Sequence, residues 1–140
     1  MGMLEVSAGV FISGTKVLAF QKGEAKCPYM SYKYEFPGGK IEKGESPEQA
    51  LIRELKEELN LDISKNKIEF LCETEHEYPD FSIRLHTFLI FTDGVEFTLK
   101  EHRNASWSEI DDLWRFDWAE ADKDVVRCLM DRAVTSFINH

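Results

Sequence analysis

The chain has 140 residues, 43% of them apolar and 31% charged, which suits one globular domain, 1–140, with a single core. A net charge of −9 excludes the long basic track that a nucleic-acid polymer needs, and no apolar run approaches the ~20 residues that span a bilayer. Residues 4–12 and 16–20 read as strands around a Ser13-Gly14-Thr15 turn, and 23–33 as a loop punctuated by Gly23 and Pro28. Residues 33–36 (KYEF) read as a short strand ended by Pro37-Gly38-Gly39. Ser46 and Pro47 suit an N-cap and first turn, so a helix is expected from about 47 to 60, with Leu51, Ile52, Leu55 and Leu59 as its apolar stripe. Residues 67–78 and 82–92 read as strands joined by a turn at Tyr78-Pro79-Asp80-Phe81. A short strand at 105–107 and a turn or single helical turn at 109–116 follow. The last segment, about 119–137, carries Val125, Val126, Leu129, Met130, Val134 and Phe137 at helical spacing. Strands mixed with two well-separated helices predict an α/β (α+β) domain. Cys27, Cys72 and Cys128 are odd in number and form no CxxC, which predicts reduced thiols in a cytoplasmic protein; the start of the chain lacks the features of a signal peptide.

The stretch RELKEELNL, residues 53–61, places Glu54, Glu57 and Glu58 on the expected helix. At roughly 100° per residue, 57 lies about 60° to one side of 54 and 58 about 40° to the other. Three carboxylates therefore share one face, although like charges at these spacings destabilise a bare helix by a few tenths of a kcal/mol per pair. Hard divalent cations want oxygen ligands and bridge carboxylates to phosphates, which gives such crowding a use. An acidic protein acting on an anionic substrate needs such a cation to overcome repulsion.

The surrounding segment, Gly39 to Leu61 (GKIEKGESPEQALIRELKEELNL), resembles the Nudix box, Gly-x5-Glu-x7-Arg-Glu-U-x-Glu-Glu-x-Gly-U with U apolar. Gly39, Glu45, Arg53, Glu54, Leu55, Glu57, Glu58 and Leu61 fall in place; Asn60 stands where the pattern has Gly, and Asn tolerates the left-handed conformation a glycine supplies there. The resemblance implies a Nudix-type α/β/α sandwich around a mixed sheet. It implies Mg²⁺ (or Mn²⁺) held by Glu54, Glu57, Glu58 and the Gly38 carbonyl, with Arg53 orienting the carboxylates and Glu45 bracing the loop.

Looser similarity covers most of the chain and is nearest the MutT-like branch of the family, whose members hydrolyse nucleoside triphosphates to a monophosphate and pyrophosphate. EFPGGKIEKGESPEQAL, EYPD at 77–80, Glu101-His102 with Trp107, and DWAEADKDVV at 117–126 carry it. It implies Glu101 as a further metal ligand or general base, with Glu54 the alternative base; His102 stays outside the catalytic set. It implies a base pocket lined by Lys22, Phe36, Asp80 and Asp122. An ionised Asp122 only accepts hydrogen bonds and favours a base edge that carries donors; a protonated one admits a carbonyl. Tyr29, Tyr32, Tyr34, Trp114 and Trp118 are numerous near that pocket as candidates for stacking. The expected substrate is a small nucleotide, ordinary or modified, met by a monomer or homodimer. The alternatives are another nucleoside-diphosphate-linked substrate, such as ADP-ribose or a dinucleotide, and a nucleotide-binding module without turnover.

Overall fold

The computed structural model describes residues 2–26 and 28–132. Seven strands form one sheet: β1 (Met3–Ser13), β2 (Lys16–Lys22), β3 (Tyr34–Glu35), β4 (Gly38–Lys40), β5 (Ile68–Glu77), β6 (Ser82–Phe91) and β7 (His102–Glu109). Two helices, α1 (Pro47–Leu59) and α2 (Glu120–Arg132), flank it, with 3-10 turns at Pro28–Met30 and Ile110–Arg115. The strand order is β3-β2-β1-β6-β5, with β4 also on β1 and β7 also on β2. The pair β1–β6 runs parallel at the centre, and the other strand pairs are antiparallel.

Successive side chains along a strand point to opposite faces, and this alternation sorts two cores. Ala8, Val10 and Ile12 of β1, Val17 and Ala19 of β2, and Leu85 and Leu89 of β6 pack with Val125, Val126 and Leu129 of α2. Phe11, Leu18, Phe20, Phe88 and Ile90, from the opposite face of the same strands, pack with Leu51, Leu55 and Leu59 of α1. The expected helix–sheet–helix sandwich is thus present.

Helix α1 begins where local chemistry dictates. The Ser46 hydroxyl accepts from the Gln49 N–H at 3.1 Å, and the Gln49 side chain accepts from the Ser46 N–H at 2.9 Å, a reciprocal capping box. It ends at Asn60, whose φ of 54° and ψ of 40° are left-handed, with its N–H donating to the carbonyls of Leu55 and Lys56. The residue that replaces the pattern's glycine takes the conformation glycine would have supplied.

Two elements differ from the sequence expectation. Gly38–Lys40 is not merely a turn: it forms β4, pairing Gly38 with Ala8, Gly39 with Ser7 and Lys40 with Val6. The short strand expected at 105–107 extends over eight residues, because β7 pairs with the whole of β2. Its mostly polar sequence, HRNASWSE, hides that pairing, and it places His102 on a strand. For the last helix, Val134 and Phe137 lie outside the described residues, as does Cys27; Cys72 and Cys128 are free thiols.

Candidate active site

Arg53 organises the loop before α1. Its Nε and Nη2 donate to the two carboxylate oxygens of Glu45 at 2.8 and 3.0 Å, and Nη2 also donates to the Lys40 carbonyl at 3.0 Å. Glu45 Oε1 accepts from the Glu42 N–H at 2.9 Å, closing the loop on itself. The bond from Arg53, then that from the Glu42 amide, holds the Glu45 carboxyl down at about 2. The remaining Nη1 donates to Glu54 at 2.8 Å and reaches Glu57 at 3.5 Å. Arg53 therefore fixes Glu54 tightly and Glu57 loosely; the Glu57 side chain is 60% exposed.

Glu54 lies against β4. A Cβ at Gly39 would overlap the Glu54 carboxyl group, and one at Gly38 would overlap the Ser7 carbonyl oxygen. The close approach of β4 to the β1 backbone requires Gly38, whereas a side chain at Gly39 would displace the Glu54 carboxylate. Glu58 faces inward. Its Oε2 is buried and has no hydrogen-bond partner. Burial first, then the charges of Glu35, Glu101 and Glu54, push its carboxyl up from 4.5 to about 9. The charge of Glu101, from the segment before β7, thus acts on Glu58 of α1.

Four carboxylates, Glu35, Glu54, Glu58 and Glu101, from three parts of the chain act on one another here, and among the described residues no cation pairs with Glu58. An orphaned buried carboxylate oxygen in a cluster of like charge fits a divalent ion. Among the described residues, no group of three acidic, histidine or cysteine side chains is placed to hold a metal ion as it stands. Mg²⁺ needs only one or two carboxylates from a protein, since it keeps several waters and takes substrate phosphates to complete its shell.

Beside this face opens a cavity of about 160 Å³. Cavities of about 150 Å³ accept one benzene ring, so its size suits an aromatic ring. Lys22, Phe36, Gly38 and Asp122 line it, as do Glu35, Met30 and Tyr78. Asp122 Oδ1 accepts from the Phe36 N–H at 3.1 Å. Burial, and then the charge of Glu35, raises the Asp122 carboxyl well above the usual carboxylate range. The shift favours the protonated form of Asp122, the second of the two states the sequence leaves open; with Oδ1 engaged by Phe36, a protonated carboxyl would have a hydroxyl to donate.

Not every candidate gathers here. Asp80 is exposed in the β5–β6 turn, where its carboxylate accepts from the Tyr29 hydroxyl at 3.2 Å, and it does not line the cavity. The Phe36 ring stacks on Trp118 with centroids 4.8 Å apart, so its polar contribution is the N–H already given to Asp122. Trp118 is core and Tyr34 packs on Phe116; Tyr29, Tyr32 and Trp114 are exposed, and none of the five lines the cavity. Beside Phe36, Tyr78 is the aromatic that does, and its hydroxyl accepts from the Ala121 N–H at 3.0 Å. Sequence reasoning passed over Tyr78 and Glu35. Alternation from Phe20 and register opposite it were the only signals for Glu35, and both require knowing the β2–β3 pairing.

A sandwich that sets a carboxylate-faced helix beside a ring-sized cavity is the architecture of a hydrolase for acid anhydrides of phosphate. The chain belongs to the NUDIX family: the NUDIX domain matches residues 3–129. The 8-oxo-dGTP diphosphatase of Escherichia coli (strain K12) is 32% identical over 126 residues, covering 90% of this chain and 95% of that protein. The CTP pyrophosphohydrolase of the same organism is 29% identical over 133 residues, 93% of each chain. The solution structure of the E. coli ORF135 protein superposes with a TM-score of 0.81 at 28% identity, covering 97% of this chain and 94% of that one. Among the described residues no helix is long and apolar enough to cross a membrane.

Proposed function

We propose that this protein is a nucleoside triphosphate pyrophosphohydrolase that releases a nucleoside monophosphate and pyrophosphate. The observation that carries the reading is the junction of two half-sites: the carboxylate face of α1 with Glu101, and the ring-sized cavity that ends on Asp122. Relatives named for 8-oxo-dGTP and for CTP support the same substrate class, and a nucleotide-pool cleaning role follows if the preferred base is a damaged one.

Glu54, Glu57, Glu58 and Glu101, with the Gly38 carbonyl, would hold a divalent cation, Mg²⁺ or Mn²⁺. When bound, the ion supplies neutralisation of phosphate charge and polarisation of the bond under attack. The chain's own groups do the rest. Arg53 holds Glu54 in one rotamer. Glu54 or Glu101 takes the proton of the attacking water. Asp122, its Oδ1 committed to Phe36, offers a hydroxyl donor to a ring nitrogen or carbonyl of the base, and Lys22 at the cavity wall adds a positive charge near a base carbonyl or phosphate.

The test is a product assay with Mg²⁺ and the common ribo- and deoxyribonucleoside triphosphates, 8-oxo-dGTP, 5-methyl-dCTP, ADP-ribose and a diadenosine polyphosphate, resolved by anion exchange. Monophosphate plus pyrophosphate from one or a few triphosphates is expected. Cleavage of ADP-ribose or the dinucleotide with triphosphates untouched would overturn the substrate class and keep the chemistry. Binding without turnover of any of them would reduce the protein to a nucleotide-binding module.

A further inference from the structure

Glu35 stands between the two halves of the site. It lines the cavity beside Phe36 and Asp122, and its charge acts on Asp122 in the cavity and on Glu58 in the carboxylate face. The sequence offered no reason to single it out, yet the fold holds it from two sides. His102 Nε2 lies 2.8 Å from Glu35 Oε2, and Lys22 Nζ lies 3.4 Å from Oε1. An ionised carboxylate only accepts, so the His102 Nε2 carries the hydrogen. Lys22 and His102 are themselves cross-strand partners, next to an irregularity of the β2–β7 ladder at Gln21/Lys22, a device that re-aims side chains beside a site.

His102 is placed at a cost that needs a reason. Its side chain is 3% exposed, its ring packs on Phe20 with centroids 5.2 Å apart, and its Nδ1 is buried with no hydrogen-bond partner. An apolar ring would fill that place without an orphaned nitrogen. What the imidazole adds is the bond to Glu35. A carboxylate has about four lone-pair sites; His102 takes one on Oε2, Lys22 is an ion-pair neighbour of Oε1, and the Glu35 side chain, which lines the cavity, stays 21% exposed.

We infer that Glu35 reads the sugar of the substrate by accepting a hydrogen bond from its 3′-hydroxyl, and that His102 is the positioning residue that aims Glu35 at it. The inference rests on the nucleotide reading above. With the base on Asp122 and the phosphates on the α1 carboxylates, the sugar is the part of the molecule that must pass between them, and Glu35 is the acceptor at that point.

The experiment compares Michaelis parameters for the preferred deoxyribonucleoside triphosphate and its 2′,3′-dideoxy counterpart. The wild type is expected to prefer the 3′-hydroxyl substrate by about ten- to hundredfold in kcat/KM, the range of a hydrogen bond to a charged acceptor. Glu35→Ala should bring that ratio close to one, and Glu35→Gln should leave it intermediate. His102→Leu should also shrink the ratio, whereas His102→Gln, which keeps an amide donor at similar reach, should restore most of it. The wild type treating both substrates alike would overturn the inference. So would Glu35 or His102 variants that lose kcat equally on both with the ratio kept, since that pattern belongs to displacement of Glu101 or the metal face. A wild type that turns over no triphosphate would instead remove the functional reading itself, before the ratio is measured.

Discussion

At the scale of single residues, the site separates groups that hold shape from groups that do chemistry. Glu57 is mostly in water and only loosely tied to Arg53, so its stability contribution falls in the surface range of about ±0.5 kcal/mol. Glu57→Gln should therefore lower kcat by roughly a hundredfold or more, since the bound ion contributes several kcal/mol of charge stabilisation, while KM and the melting temperature hardly move. Steady-state kinetics beside calorimetry separates the cases, and parallel loss of stability and activity would count against a role in metal binding. Arg53→Lys should behave differently. Lysine cannot donate both parallel bonds to Glu45, so the loop it closes weakens. The Glu45 carboxyl, at 4.5 ordinarily and about 2 in the fold, adds stability above about 4.5 that fades as pH falls to about 2. The stability gap between wild type and Arg53→Lys should be full at neutral pH and narrow through that window. Glu54, Glu57 and Glu58 were legible before the fold because helical spacing alone sets their common face. Glu35 and His102 were not, because each gains its role from a partner across the sheet: Glu35 is fixed by β2 and His102 by β2 and Glu35 together.

At the scale of elements, α1 is the most self-determined part of the molecule. Its N-cap, first-turn proline, apolar stripe and left-handed end are all encoded within residues 46–60, so the sequence read them to within a residue. Ser46→Ala should remove the capping box and cost about 1 kcal/mol. Asn60→Ala should cost a similar amount, about 1–2 kcal/mol, because a residue with a Cβ and no local polar compensation is strained at this φ. Urea midpoints with unchanged slopes would verify both. Activity per folded molecule should survive, since neither side chain touches the carboxylate face. The strands that escaped sequence reading are those whose identity is non-local. The ladder of β4 consists of two glycines and a lysine, with no apolar alternation to announce it. In β7 the buried side belongs to His102 and Ser108, polar residues that a period-two search passes over. Asp122 shows the same limit at a helix start. Its place in the first turn was visible, but the upward shift of its carboxyl depends on burial in the folded chain and on the charge of Glu35.

At the scale of the whole molecule, folding brings together what unfolding keeps apart. Glu54 and Glu58 on α1, Glu35 on β3 and Glu101 before β7 come from distant parts of the chain, and the folded state must tolerate their repulsion. For Glu58 the sign is definite. Its carboxyl lies at 4.5 ordinarily and at about 9 in the metal-free fold, so the unfolded chain gives up this proton first as pH rises. The metal-free protein therefore loses stability from about pH 4.5 upward, until the folded carboxyl also ionises near 9. A divalent cation reverses that sense. It binds the folded cluster, raises stability by mass action, and must displace the Glu58 proton to do so, so its affinity grows as pH rises through the same window. Thermal unfolding in EDTA and in excess Mg²⁺, at pH 6 and at pH 8.5, should show a larger Mg²⁺-induced rise in melting temperature at the higher pH. Glu58→Gln, which carries no titrating proton, should flatten that dependence. Equal rises at both pH values in the wild type would mean that the ion does not engage Glu58, and would confine the metal to Glu54, Glu57 and Glu101.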